Sequence, residues 1–293
     1  APFASRSLVD GELRERTMPL DAAAPPPGTD QRRANSARAF GDKTALTFLP
    51  GVGADDVPVR WSFAQLLAGV HRTANALHRL GLRPTDTVAV LLPGCLAYHL
   101  ALWGGEAAGV AQPLNPLLAD DKLAALMRAS QARVLIAWGG QGDAPHGETL
   151  WHKARRVARR VPTLHTVLRV DPQGAEPAGA APMADDGGGP DVLDFDTACA
   201  GEPDDRLLSG RVIRRDDIAA LFHTGGTTGA PKLARHSHGA QVFTAWAFVT
   251  MQGMGPHDVT INGYPLYHVA GVLPGALAAL SSGVETIIPT TRL

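Results

Sequence analysis

The residues best suited to chemistry lie in one run, His223-Thr224-Gly225-Gly226-Thr227-Thr228-Gly229-Ala230-Pro231-Lys232. Glycines at 225, 226 and 229 let a backbone approach a ligand closely and turn its N–H groups inward, which makes a concave surface for anionic oxygen. The threonine hydroxyls add donors, and Lys232 adds a mobile point charge suited to phosphate. Pro231 stiffens the exit and fixes where the lysine starts. A Walker-type loop is excluded. That motif sets Gly beside Lys and then Ser or Thr, whereas here Pro231 precedes Lys232 and Leu233 follows it. An ordinary Gly/Thr-rich surface turn is the bland alternative, and the ordered composition of the whole run weighs against it.

Elements of alternating type must hold this run. Asp217 to Phe222 reads as a buried strand leading in, and after Leu233-Ala234-Arg235-His236 a helical pattern runs from about Gly239 to Met251. Upstream, Ala45–Leu49 and Val57–Trp61 read as a strand pair across a Gly/Asp loop. Ser62 and Gln65 form a capping box, opening a helix with apolar residues from Phe63 to Leu80 that Gly81 stops. The strand Thr87–Leu92, a helix through Tyr98 and Trp103, a short strand after Gly109, and a helix capped by Asp121 come next. The strand Arg133–Ala137, a basic helix from Glu148 to Arg160 and the strand Leu164–Val170 follow. Apolar strands alternating with amphipathic helices imply parallel βαβ units with both sheet faces covered.

The expected organisation has four parts. Residues 1–37, rich in Ala and Pro, form an extended arm, and 38–171 a first α/β lobe. Residues 172–211, with Gly187-Gly188-Gly189, form a flexible connection, and 212–293 a second α/β lobe carrying the loop. In that second lobe the strand Val259–Gly263 precedes Tyr264-Pro265-Leu266-Tyr267-His268-Val269-Ala270-Gly271, and a helix through Leu277 and Leu280 leads to the strand Thr286–Ile288.

Composition narrows the function. The chain has 293 residues, 45% hydrophobic and 19% charged, with a formal net charge of -1, so nothing global points to nucleic acid or an anionic membrane. Aromatics at 5% disfavour single-strand stacking platforms. Cys95 and Cys199 form no close-spaced metal or disulfide motif and read as buried free thiols. No run is apolar enough to span a bilayer and the first ten residues lack a signal-type apolar core, so a cytoplasmic location is expected.

The ten-residue run resembles the phosphate-loop signature of the adenylate-forming superfamily, which holds acyl-CoA synthetases, peptide-synthetase adenylation domains and luciferases. His223 stands where that signature usually has an aromatic, Gly225 where it has serine and Leu233 where it has glycine. Tyr264–Gly271 resembles a second signature of the family, in which an aromatic–His pair precedes Gly at the mouth of the acyl pocket. The order of elements from Ala45 to Ala137, with Pro113-Leu114-Asn115-Pro116, is also similar to the family's first lobe. The resemblance implies the N-terminal portion of an acyl-CoA synthetase with a two-lobed α/β fold of mostly parallel sheets.

Its implied activity is ATP-dependent capture of a carboxylic acid, a fatty acid in the first instance, as acyl-AMP, followed by thioester formation with CoA. Thr224, Gly225, Gly226, Thr227, Thr228 and Gly229 would cradle the triphosphate, and Lys232 would neutralise its outer phosphates. Mg2+ would bridge those phosphates with the Thr228 hydroxyl as a ligand, and Tyr267, His268 and Gly271 would border the acid. The alternatives are an adenylation domain that loads a carrier protein and a nucleotide-binding module without catalysis. The family's Mg2+-binding glutamate, ribose-binding aspartate and C-terminal catalytic lysine cannot be placed within residues 1–293, so this stretch alone is expected to be inactive.

Overall fold

The computed structural model describes residues 28–51, 56–140, 149–172, 189–224 and 232–289. Within these, strands β3 (Thr87–Leu91), β4 (Val110–Pro113), β5 (Val134–Trp138), β6 (Thr166–Val170), β7 (Asp191–Asp194), β8 (Ile218–His223) and β9 (Leu233–Ser237) form one sheet. Its order is β7-β6-β5-β3-β4-β8-β9, parallel throughout except for the antiparallel pair β8–β9. A second sheet, in the order β10-β11-β1-β2, joins β10 (Val259–Ile261) and β11 (Glu285–Ile288) to β1 (Thr44–Phe48) and β2 (Val59–Ser62).

The large sheet is buried on both faces, as parallel strands require. Val88 and Val90 of β3 and Val134 and Ile136 of β5 turn to one core, while Ala89, Leu91, Leu135 and Ala137 turn to the other. Helices α2 (Phe63–Arg79) and α3 (Leu96–Ala108) fill the first core together with Leu46 and Ile288 of the small sheet. Helices α4 (Asp120–Ala129) and α5 (Leu150–Ala158) fill the second. The close approach of α2 to α3 depends on Gly104, where an added Cβ would lie 2.6 Å from the Thr73 side chain.

Local signals in the sequence translate directly. Ser62 Oγ accepts from Gln65 N at 3.2 Å and Gln65 Oε1 accepts from Ser62 N at 2.8 Å, completing the capping box. Gly81 ends α2 at φ 88°, a left-handed conformation that glycine adopts without strain. Other boundaries differ from expectation. Asp121 does not cap α4: Ala119 holds the cap position, and Asp121 sits in the first turn bonded to Arg160. Thr149, accepting from His152 N, caps α5.

The expected division of the chain differs more. Helix α1 (Thr29–Phe40) occupies the last nine residues of what reads as an extended arm, 29–37, and buries Thr29, Arg33 and Ser36. The supposed connection 172–211 contains β7, which extends the large sheet beside β6, and the capped helix α6 (Phe195–Cys199). The segments 38–171 and 212–293 do not hold separate sheets. β4 pairs with β8 through Ala111 and Ala220, and β1 pairs with β11 through Leu46 and Thr286. Burial of apolar strands on both faces is satisfied across the whole chain, not within each half.

Candidate functional site

Strand β8 carries the chain into the Gly/Thr-rich run with a buried, largely aliphatic stretch, and β9 carries it out. Leu233-Ala234-Arg235-His236 reads as a link but is a strand, antiparallel to β8 with His223 opposite Leu233. The ladder closes at its mouth, where Thr224 N donates to Lys232 O at 3.1 Å. The two ends of the run are thereby held side by side, and both Thr224 and Lys232 are exposed. Gly225, Gly226, Thr227, Thr228 and Gly229 lie outside the described residues.

Behind β9, helix α7 (His238–Gln252) starts at once. Ser237 Oγ accepts from Ala240 N at 3.2 Å, a cap that sequence reading had not singled out, although Ser before an apolar helical pattern signals it. The helix ends at Gly253, φ 64°.

The second cluster follows β10. Asn262 holds both sides of the Tyr264–Gly271 turn: its Oδ1 accepts from Tyr264 N at 3.2 Å and its Nδ2 donates to Gly271 O at 3.0 Å. In sequence Asn262 reads as part of a strand end, and Gly263 and Pro265 beside it signal the turn. His268 N donates to Pro265 O at 3.0 Å, and His268 O accepts from Gly271 N and Val272 N. The imidazole is exposed, and its Nδ1 accepts from Ala270 N at 3.1 Å, so in the neutral ring Nε2 carries the proton outward. Gly271 is required by close approach: an added Cβ would lie 2.3 Å from Pro265 O. From Gly271 to Leu277 the helix is wound as a π-helix around Pro274, a rare form that accommodates the missing N–H, before α8 (Ala278–Ser282).

Burial lowers the His223 pKa, and the charge of His268 lowers it further. Tyr98, buried in the first turn of α3, has its phenol pKa raised by burial and then by Cys95 and Tyr267. Thr224 and Lys232 thus share the hairpin mouth, and Tyr267, His268 and Gly271 share the turn that Asn262 holds. Burial raises the thiols of Cys95 and Cys199 to about 12, which leaves them unreactive as nucleophiles near neutral pH. Among the described residues no group of three or more His, Cys, Asp or Glu side chains is placed to hold a metal ion.

A doubly covered, mostly parallel sheet of this kind is a fold shared with solved structures. The anthranilate CoA ligase AuaEII in complex with anthranoyl-AMP superposes with a TM-score of 0.74 at 20% identity, covering 91% of this chain and 46% of that one. The apo structure of Mycobacterium smegmatis MbtA gives 0.70 at 23% identity, covering 96% and 47%. Residues 34–293 match the family described as AMP-binding enzyme, and the chain belongs to it.

Similar curated proteins include the marinolic acid–CoA ligase of Pseudoalteromonas sp. (strain SANK 73390), 28% identical over 261 residues, with 86% of this chain and 36% of that protein covered. The crotonobetaine/carnitine–CoA ligase of Salmonella paratyphi A is 25% identical over 253 residues, with 86% and 44% covered. The 2-hydroxy-7-methoxy-5-methyl-1-naphthoate–CoA ligase of Streptomyces carzinostaticus is 28% identical over 244 residues, with 80% and 40% covered. The chain spans less than half the length of these curated relatives. No helix among the described residues is long and apolar enough to cross a membrane.

Proposed function

We propose that the full-length protein joins a carboxylic acid to AMP and then passes the acyl group to the thiol of CoA. In the first step a carboxylate oxygen bonds to the α-phosphorus of ATP as the bond to the departing pyrophosphate breaks. In the second, the thiolate attacks the acyl carbonyl and AMP leaves. The single observation that carries the reading is the closed hairpin mouth, in which Thr224 N bonds Lys232 O and both residues stay exposed at the sheet edge. Family membership over residues 34–293 and relatives named as CoA ligases add support.

Thr224, Gly225, Gly226, Thr227, Thr228 and Gly229 cradle the triphosphate through N–H and hydroxyl donors, and the Lys232 ammonium screens charge that grows on the leaving pyrophosphate. The Thr228 hydroxyl would be a ligand for Mg2+, which would supply further charge neutralisation when bound. Tyr267 walls the acid, His268 presents its Nε2–H toward the carboxylate, and Gly271 lets the turn pack closely enough to hold both. The acids named in the relatives are varied, so the substrate class is set here as a carboxylic acid, with fatty acids the first to be tried. Free Cys95 and Cys199 suit a cytoplasmic enzyme drawing on ATP and CoA.

Acid-dependent exchange of labelled pyrophosphate into ATP tests the first step in the full-length protein, over a panel of fatty, aromatic and short acids. Exchange with one acid class and its collapse in Lys232→Ala is the expected result. No exchange with any acid, alongside measurable ATP binding, would leave a nucleotide-binding module instead. Offering CoA and a phosphopantetheinylated carrier protein in turn identifies the acceptor. Residues 1–293 alone are proposed not to support exchange, and robust turnover by them would refute that point.

A further inference from the structure

Glu106, in the last turn of α3, is fully buried, yet nothing in the proposed chemistry uses it. Its Oε1 accepts from Gln241 Nε2 at 2.9 Å and its Oε2 from Thr29 Oγ1 at 2.9 Å. Thr29 Oγ1 also lies 3.0 Å from His238 Nδ1. One carboxylate thus ties the start of α1 to the first turn of α7, the helix that continues directly from β9 and Lys232. The same turn is fixed from outside: His238 N donates to Asp217 O at 3.0 Å and Gly239 N to Arg215 O at 2.8 Å.

Burial raises the Glu106 carboxyl above its usual pKa, and Arg33, Gln241, Thr29 and Arg211 pull it part of the way back. Arg211 Nη1 donates to the carbonyls of Glu106, Ala107 and Gly109 at 3.0 to 3.1 Å, closing the end of α3. Arg33, 4% exposed, stacks 5.1 Å over the Trp103 ring one turn before Glu106, and its charge acts on the Glu106 carboxyl. Removing one member of such a buried set leaves the others uncompensated, which is strongly disruptive. The disruption falls at the base of the strand that presents Lys232.

We infer that Glu106 is a positioning residue: through Gln241 and His238 it pins the first turn of α7, and so sets where β9 holds Lys232 against the ATP polyphosphate. The inference rests on the proposed function for the role of Lys232, but the anchoring itself does not. Two measurements therefore separate them, on Glu106→Ala, Glu106→Gln, Gln241→Ala and Lys232→Ala in the full-length protein. Amide hydrogen exchange should quicken over residues 233–241 in Glu106→Ala and Gln241→Ala. The KM for ATP should rise about tenfold in both while the KM for the acid changes little, as expected of a displaced binding group. Glu106→Gln should recover most of that loss, because glutamine can accept from Thr29 and donate to Gln241 Oε1, which has no partner.

Should Glu106→Ala not fold, Gln241→Ala carries the test, since it cuts the direct bond from the carboxylate to α7 and leaves only the indirect route through Thr29 and His238. Unchanged exchange at 233–241 in a folded variant overturns the anchoring. Quickened exchange with an unchanged KM for ATP, while Lys232→Ala is inactive, overturns the positioning role. An unaffected Lys232→Ala instead faults the reading of the loop itself, and the positioning claim falls with it.

Discussion

Gly271→Ala tests the acid-binding turn most directly. The new Cβ would lie 2.3 Å from Pro265 O and 2.8 Å from both Pro265 C and Tyr264 O, all backbone atoms with no rotamer to change. Ordinary van der Waals contact begins near 3.4 Å, so one side must give by roughly 1 Å, enough for order 10²-fold losses in rate where reacting groups are misplaced. The helical side cannot yield, because Val272 and Leu273 are 0% and 2% exposed in the main core. The Tyr264–His268 turn must therefore move outward, straining the two Asn262 bonds and the His268–Pro265 bond that hold it. Overpacking of this kind costs about 1–3 kcal/mol, which corresponds to a fall in Tm of roughly 2–5 °C for 293 residues. Thermal unfolding and pyrophosphate exchange, run on the same preparation, read the two effects. We expect the KM for the acid to rise and turnover to drop, with the KM for ATP nearly constant. A variant with wild-type Tm and wild-type acid kinetics would refute the argument that this glycine sets the position of Tyr267 and His268.

Other expectations are more compact. Lys232→Ala should reduce acid-dependent exchange at least about 100-fold with no loss of Tm, since the side chain is exposed; circular dichroism melting checks the second half. Gly104→Leu should destabilise by more than about 2 kcal/mol, because the added atoms meet Thr73 and the Val70 carbonyl across the α2–α3 contact; urea unfolding measures it. Leu77→Ala, at a fully buried position, should cost about 2–5 kcal/mol in the same assay. Burial depresses His99 to about 4 and, with Arg211 and Arg33 adding to it, His238 to about 3. The unfolded imidazoles titrate near 6.5, so between these values the unfolded chain binds the protons and stability falls as pH drops. His99→Leu should flatten the plot of unfolding free energy against pH by about one proton between roughly pH 4 and 6.5, and an unchanged slope would contradict its neutral burial.

The parts of this fold written in short sequence windows were readable. Ser62 and Gln65 announce the start of α2, and Gly81 its end, because each acts on groups within four residues. The Gly/Thr run and the Tyr267–His268 pair likewise stand out as local chemistry. What escaped reading depends on distant partners. The segment Leu233–Ser237 alternates weakly and looks like a link, and only pairing with β8 makes it a strand. Helix α1 is too polar to suggest a buried element; it packs because Thr29 meets Glu106, 77 residues away, and Arg33 meets Trp103. Asp191–Asp194 is exposed at every position, Val192 and Leu193 included, yet its backbone completes the ladder beside β6. Asn262 could not be assigned a role without seeing the two backbone groups it joins.

The pairing of β1 with β11 has a bearing on biosynthesis. Leu46 leaves the ribosome 240 residues before its neighbour Thr286 is made, so the small sheet stays open throughout that interval. At about 5–20 residues per second that interval lasts on the order of tens of seconds. During it the apolar edge of β1 has no hydrogen-bonding neighbour on the β11 side, a condition that favours chaperone engagement and penalises any gene fusion or truncation that removes Glu285–Ile288.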